Sequence, residues 1–209
     1  MKNFKLPGID GFTVEFYKFF WNDIKFSLLN CLNESLEKGN FSVSQCQGLI
    51  ICLPKEGNEK HFMKNWRPIT LLCVDFKLAT SCIANRLKPI LQNITSQTQK
   101  GFLRGRYIGE CVRIISDLMD KLEEDDIPGL LMLVDFEKAF DTVEWPFIEK
   151  TLEFYSFGRT FRKWIKSFYT DITSAVINDG HLSEFFLLER GSDKVIRYLI
   201  IFSSLCWNF

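Results

Sequence analysis

Apolar residues recur at every fourth position from Phe16 through Phe20, Ile24, Leu28 and Leu32 to Leu36, and the pattern stops at Gly39-Asn40. That spacing predicts an amphipathic helix or a broken pair of helices. "GLIICLPK" (48–55) is a short continuous apolar run closed by proline, which reads as a buried strand, and "RPITLL" (67–72) reads as a second extended piece. Phe76, Ala79, Ile83, Leu87 and Ile90 then fall on one helical stripe, with Pro89 expected near its end. "ECVRIISDLMDKLEEDD" is a further amphipathic helix with a solvated acidic end. "GLLMLVD" (129–135) reads as a buried strand, "DTVEWPFIEKTLEFYSF" as the start of a helix with Pro146 in its first turn, and "RTFRKWIKSFYT" as another helix. "SAVINDGHLSEFFL" is a hairpin turning at Asn178-Asp179-Gly180. The irregular order of helices and strands fits an α+β fold better than a doubly wound sheet.

Composition adds little to this picture but closes some options. The chain has 209 residues, 46% hydrophobic and 25% charged, which supports a packed core and argues against wholesale disorder. Lys+Arg 26 balance Asp+Glu 26, so only a local basic face could support nucleic-acid binding. The seven cysteines show no C-x-x-C spacing and there are two histidines, which disfavours zinc. Their odd number and scatter suggest reduced, mostly buried thiols in an intracellular protein of cytoplasm or nucleus, not a secreted one. The N-terminal residues lack a signal-peptide core, and no apolar run is long enough to span a membrane.

Chemistry could sit at several points. Asp135 closes an apolar run, where a charged carboxylate is costly without compensation. It could ligate Mg²⁺, which takes one or two carboxylates plus substrate phosphates, or it could cap the next turn. Asp141 reads better as a helix N-cap, and Glu137 and Lys138 as a solvated pair. Lys55 and Arg67 each sit beside a proline at a strand boundary. Held together, they could clamp a triphosphate, with Arg as a bidentate fork and Lys as a point charge; alone, each is a surface charge. The loop "GFLRGR" could meet a nucleic-acid backbone through Arg104 and Arg106, with Lys100 close by in sequence.

Five ordered stretches carry a family likeness. "LVDFEKAFDTVEW" resembles the first palm motif of reverse transcriptases of non-LTR (LINE-type) retrotransposons. "PGIDGFTVEFYKFFW" is similar to that family's opening element, and "LPKEGNEKHFMKNWRPITLLCVDFKLATSCIANRL" and "SQTQKGFLRGRYIGECV" to two fingers blocks. "SFGRTFRKWIKSFY" is similar to the stretch that succeeds the first palm motif in that family. The match in order and spacing runs from about Pro7 to Gly191.

The resemblance implies the fingers and partial palm of a right-hand polymerase, with fingers over 1–125 and the start of the palm over 126–191. It implies RNA-directed DNA synthesis by two-metal nucleotidyl transfer, using Mg²⁺ (or Mn²⁺), an RNA template, a DNA primer and deoxynucleoside triphosphates. Asp135 would be the first catalytic metal ligand, assisted by the carbonyl of Phe136. Phe140 would pack under the incoming sugar and crowd out a 2′-hydroxyl, while Lys55 and Arg67 would hold the triphosphate.

The likeness stops after "FFLLERG". The family continues with "RQGDPLSP", whereas this chain reads "SDKVIRYLIIFSSLCWNF" (192–209). Plausible codons for Asp193 to Leu199, GAC AAG GTG ATC CGC TAT CTN, give CAA GGT GAT CCG CTA TCT when read one base back. That spells Gln-Gly-Asp-Pro-Leu-Ser, with only third-position bases free to choose. Ile201 onward similarly allows Phe-Phe-Ile-Leu-Val-Leu-Glu. The expectation is a single frame shift near Gly191-Ser192, with 192–209 an out-of-frame tail. The paired-aspartate hairpin and the thumb would fall beyond it, which predicts exposed apolar palm faces, poor solubility and no polymerase activity. The rival readings are a non-catalytic nucleic-acid-binding fragment and a purely structural domain.

Overall fold

The computed structural model describes residues 1–57, 59–101, 103, 105–135 and 143–190. The first amphipathic stretch is a broken pair: α1 (Val14–Phe19) and α2 (Trp21–Lys38), parted at Phe20. Thr13 caps α1, its hydroxyl accepting from the Phe16 N–H at 3.5 Å. β1 (Gln47–Pro54) and β2 (Trp66–Leu71) follow, joined by a loop that ends in a single 3₁₀ turn, Met63–Asn65. Next come α3 (Val74–Ile94), α4 (Gly109–Glu124), α5 (Trp145–Phe154) and α6 (Arg159–Ser167). β3 (Thr173–Asn178), β4 (His181–Leu182) and β5 (Phe186–Leu187) complete the described elements.

The strands form one mixed sheet in the order β2-β1-β3-β4, with β5 also paired to β3. β1 and β2 are antiparallel, with Leu53 opposite Arg67 and Pro54 opposite Trp66. β1 and β3 are parallel, from Gln47 opposite Thr173 to Ile51 opposite Ile177. The parallel pairing requires a long crossover, which α3 to α6 supply. β3 and β4 form the expected hairpin, and Asp179 (φ 48°) and Gly180 (φ 78°) adopt the two left-handed conformations that a tight I′-type turn needs.

The core lies where α3, α5 and α6 meet Phe41, and includes Phe76, Ile83, Leu87, Leu91, Leu152, Ile165 and Phe168. Phe41, Phe76 and Phe168 form an aromatic triad with centroids 5.2–5.5 Å apart. Pro89 lies inside α3 rather than at its end. Leu87 and Leu91, both fully buried, flank it and hold the helix in place past the hydrogen bond that proline cannot make. α2 docks against α6, where Lys163 Nζ donates to the carbonyl of Glu37 at 2.9 Å.

Three expectations need correction. "GLLMLVD" is neither strand nor buried: Leu130 is 94% exposed and Met132 75%, and residues 129–135 pair with no described strand. Its apolar run signals a need for burial, but a strand also needs neighbours, and β2, β4 and β5 take the sheet positions beside β1 and β3. α4 forms as expected but none of its residues is buried, and Val112, Leu118 and Met119 are exposed. Among the described residues the thiols are not mostly buried either. Cys46 and Cys73 are, Cys52 and Cys111 are intermediate, and Cys31 and Cys82 are exposed.

Candidate functional site

The β1–β2 hairpin brings Lys55 and Arg67 to one end. Residues opposite each other on antiparallel strands share a face, and side chains alternate along a strand. Arg67 lies opposite Leu53, so Lys55, two residues on, falls on the same face as Arg67. The pairing extends to Lys55, whose N–H donates to the carbonyl of Asn65 at 2.7 Å. Lys55 Nζ donates to the carbonyl of Lys64 at 2.7 Å, which fixes the ammonium and leaves two of its three protons for an anion. Arg67 is exposed.

The basic loop after α3 is arranged differently from what its sequence suggests. The Lys100 side chain is only 14% exposed and is ion-paired with Glu110. Arg106 turns inward to the C-terminal end of α3. It donates to the carbonyls of Gln99 (2.8 Å), Gln92 (3.0 Å) and Thr95 (3.1 Å), and also to that of Ser96. The last carbonyls of a helix have no partner within it, and the guanidinium supplies donors and positive charge there together. Arg104 lies outside the described residues.

Asp135 is exposed at the end of the apolar segment. Phe136 and Phe140, and with them Glu137, Lys138 and Asp141, lie outside the described residues. Asp135 fits Mg²⁺ as a single hard oxygen ligand, although a two-metal reaction needs further carboxylates.

One group of potential ligands was not foreseen. Asp10, Cys73 and Asp75 place a donor atom each within 4.8 Å of one another. Gly8 brings them together: it lies so close to the backbone at Leu72-Cys73 that a Cβ there would stand 2.4 Å from the Cys73 nitrogen. Asp75 accepts from Gln45 Nε2 at 2.6 Å and from the Phe76 N–H at 2.7 Å. Burial raises its carboxyl above the ordinary aspartate range, with Asp10 adding to the effect. Burial also pushes the Cys73 thiol up to about 11. A neutral thiol and a carboxylate already engaged by amides do not suit Mg²⁺, which wants charged oxygen. The group acts as a clasp between the N-terminal loop and α3. The one local signal in the sequence was the glycine of "PGIDG".

Among the described residues, no helix is long and apolar enough to cross a membrane. A family model described as "Reverse transcriptase (RNA-dependent DNA polymerase)" matches residues 53–192, well over half of the chain. The chain is 35% identical over 169 residues to the transposon TX1 uncharacterized 149 kDa protein of Xenopus laevis, an alignment covering 81% of this chain and 13% of that protein. It is 27% identical over 146 residues to the putative 115 kDa protein in type-1 retrotransposable element R1DM of Drosophila melanogaster, covering 69% of this chain and 14% of that one. The chain thus spans a small fraction of the length of these relatives. The mixed helix-and-sheet fold carrying this match, with two relatives encoded by transposable elements, leads to one assignment: the chain belongs to the reverse transcriptase family, in its non-LTR retrotransposon branch.

Proposed function

We propose that this chain is the fingers (1–125) and the start of the palm (126–191) of an enzyme that copies RNA into DNA, and that as it stands it does not catalyse the reaction. Five motifs in family order from about Pro7 to Gly191 carry the reading. The family match supports it further, since it ends at Ser192, where the frame shift is placed.

In the parent enzyme, Lys55 and Arg67 would neutralise the triphosphate of an incoming deoxynucleotide. The shared face of the β1–β2 hairpin suits that role, with Lys55 anchored on the Lys64 carbonyl so that little side-chain freedom is lost on binding. Asp135, with the carbonyl of Phe136, would hold Mg²⁺ or Mn²⁺. When bound, the ions would activate the primer hydroxyl and stabilise the departing pyrophosphate. Phe140 would read the sugar by crowding. RNA template and DNA primer would be the macromolecular partners, and the setting intracellular. Asp135 is one carboxylate of the several that two ions need, and residues 192–209 do not spell the motif that would extend the palm.

The second reading, a nucleic-acid binder without catalysis, drew on Lys100, Arg104 and Arg106. Lys100 and Arg106 are engaged within the fold, so a nucleic-acid face through them would first have to release Glu110 and the carbonyls at and just beyond the end of α3.

Sequencing the gene across codons 185–209 tests the frame. Codons that spell Gln-Gly-Asp-Pro-Leu-Ser one base back are the expected result. Codons that do not would refute the disruption.

A further inference from the structure

α4 has the sequence of a core-facing helix and the exposure of a surface one. Counted from Ile115, apolar residues lie at −7, −4, −3, +3, +4 and +7, namely Ile108, Cys111, Val112, Leu118, Met119 and Leu122. These positions fall within about 120° of one another around the helix, the width of a stripe that packs on a core. Yet no residue of α4 is buried. Ile108 is 66% exposed, Val112 69%, Leu118 53% and Met119 55%, while Cys111, Ile115 and Leu122 are intermediate. The apolar face is built for a partner, and no described element buries it.

The spacing reads the same in both directions from Ile115. A two-fold axis through Ile115 that lays a second α4 antiparallel on the first therefore maps the face onto itself. Ile115 meets Ile115, and Ile108, Cys111 and Val112 meet Leu122, Met119 and Leu118 of the other copy. Such self-complementarity is what a two-fold symmetric interface requires. Charge favours the same arrangement. Asp117 to Asp126 holds six carboxylates and one lysine, whereas Gly109 to Ser116 holds Glu110 and Arg113, which balance. The acidic half closes the helix, where the helix dipole is also negative. A parallel copy would set two acidic ends side by side, whereas an antiparallel one brings the positive N-terminal end of its helix beside them. We propose that α4 is an interface between two copies of this chain, paired antiparallel about Ile115. The helix is about 24 Å long, so the pair buries less than the roughly 1,200 Å² at which standard interfaces begin, and the dimer is a weak one. The inference needs no metal, nucleotide or nucleic acid, and it stands or falls apart from the reverse transcriptase reading.

The test is sedimentation velocity of the full chain under reducing conditions, from about 1 to 100 μM, where a monomer–dimer equilibrium is expected. Leu118→Lys places a charge in the pairing face of both copies and is expected to weaken the dimer about tenfold or more. Asp120→Lys places the same charge on the far side of α4 and is expected to leave the dimer within about threefold. A second measurement fixes the orientation. In Met119→Cys treated with oxidised glutathione, two thiols are expected to join as a disulfide between Cys111 of one copy and the introduced cysteine of the other, with glutathione reduced in exchange. Positions 111 and 119 lie about 12 Å apart along one helix, too far to be bridged within a copy. The proposal is overturned if the parent chain is a monomer at every concentration, or if Leu118→Lys dimerises as tightly as the parent. It is equally overturned if peptide mapping of the Met119→Cys chain finds no disulfide between Cys111 and the introduced cysteine.

Discussion

Phe41 stacks on Phe168, ring centroids 5.2 Å apart and planes within 16° of parallel, although the two residues belong to a loop after α2 and the end of α6. Phe76 of α3 closes the triad edge-on, and all three rings are buried. Phe168→Ala opens a cavity where three segments meet and is expected to cost about 3–5 kcal/mol. A fall of that size in the urea-unfolding free energy checks it, and a change under about 1 kcal/mol would mean that this triad does not join the segments.

Arg106, outside α3, supports the C-terminal end of that helix. Arg106→Ala leaves helix-end carbonyls without their charged donor and is expected to cost about 1.5–3 kcal/mol. Arg106→Lys recovers part of that, because one ammonium cannot reproduce the planar fork. The unfolding midpoint is the readout, and an unchanged midpoint in Arg106→Ala would contradict the helix-end role.

Asp75 carries a pH signature. Its folded pKa is raised, chiefly by burial, so the folded state holds its proton more tightly than the unfolded chain. The charge penalty is absent below the ordinary aspartate range. It grows as pH rises from that range through the folded pKa, and is complete above it. Asp10, Tyr17 and Cys73 face the same clasp, and burial raises the latter two as well. Asp75→Asn is therefore expected to raise Tm at pH 7, with the gain vanishing by about pH 3, where both chains are uncharged at this position. A gain that persisted in acid would point to packing instead of charge.

The exposed segment before Asp135 gives a test of a different kind. If Leu130 and Leu133 face solvent, the double change Leu130→Lys, Leu133→Lys should shift stability by less than about 0.5 kcal/mol and increase the soluble fraction. Were the segment a buried strand, two lysines would unfold the domain. Thermal melts and the supernatant fraction after centrifugation distinguish these outcomes.

Local chemistry was legible in the sequence wherever the signal was itself local. The Asn-Asp-Gly turn and the Gly39 stop rest on residues close in sequence and formed as read, whereas α3 runs on past Pro89 and buries Leu91 in place of Ile90, which is 42% exposed. The parallel pairing of β1 with β3 was not legible, since no residue of either strand names its distant partner. The same holds for Arg106, whose acceptors lie in the last turn of α3 and in the segment that follows it, and for the Asp10–Cys73–Asp75 clasp. The 129–135 run was misread for a further reason. Hydropathy records what a segment needs, whereas a strand also requires neighbours to pair with. Of the candidate site, the pairing of Lys55 with Arg67 on one face is consistent with the sequence reading, and the inward turn of Arg106 was invisible to it.

The central proposal is that residues 192–209 are out of frame and interrupt the palm after Gly191, so that this chain does not catalyse extension. Primer extension tests it most directly. The chain is incubated with an RNA template, an annealed DNA primer, deoxynucleoside triphosphates and Mg²⁺ or Mn²⁺, beside an Asp135→Ala variant. The account predicts no extension from either protein. Extension by the parent chain that disappears in Asp135→Ala would contradict it.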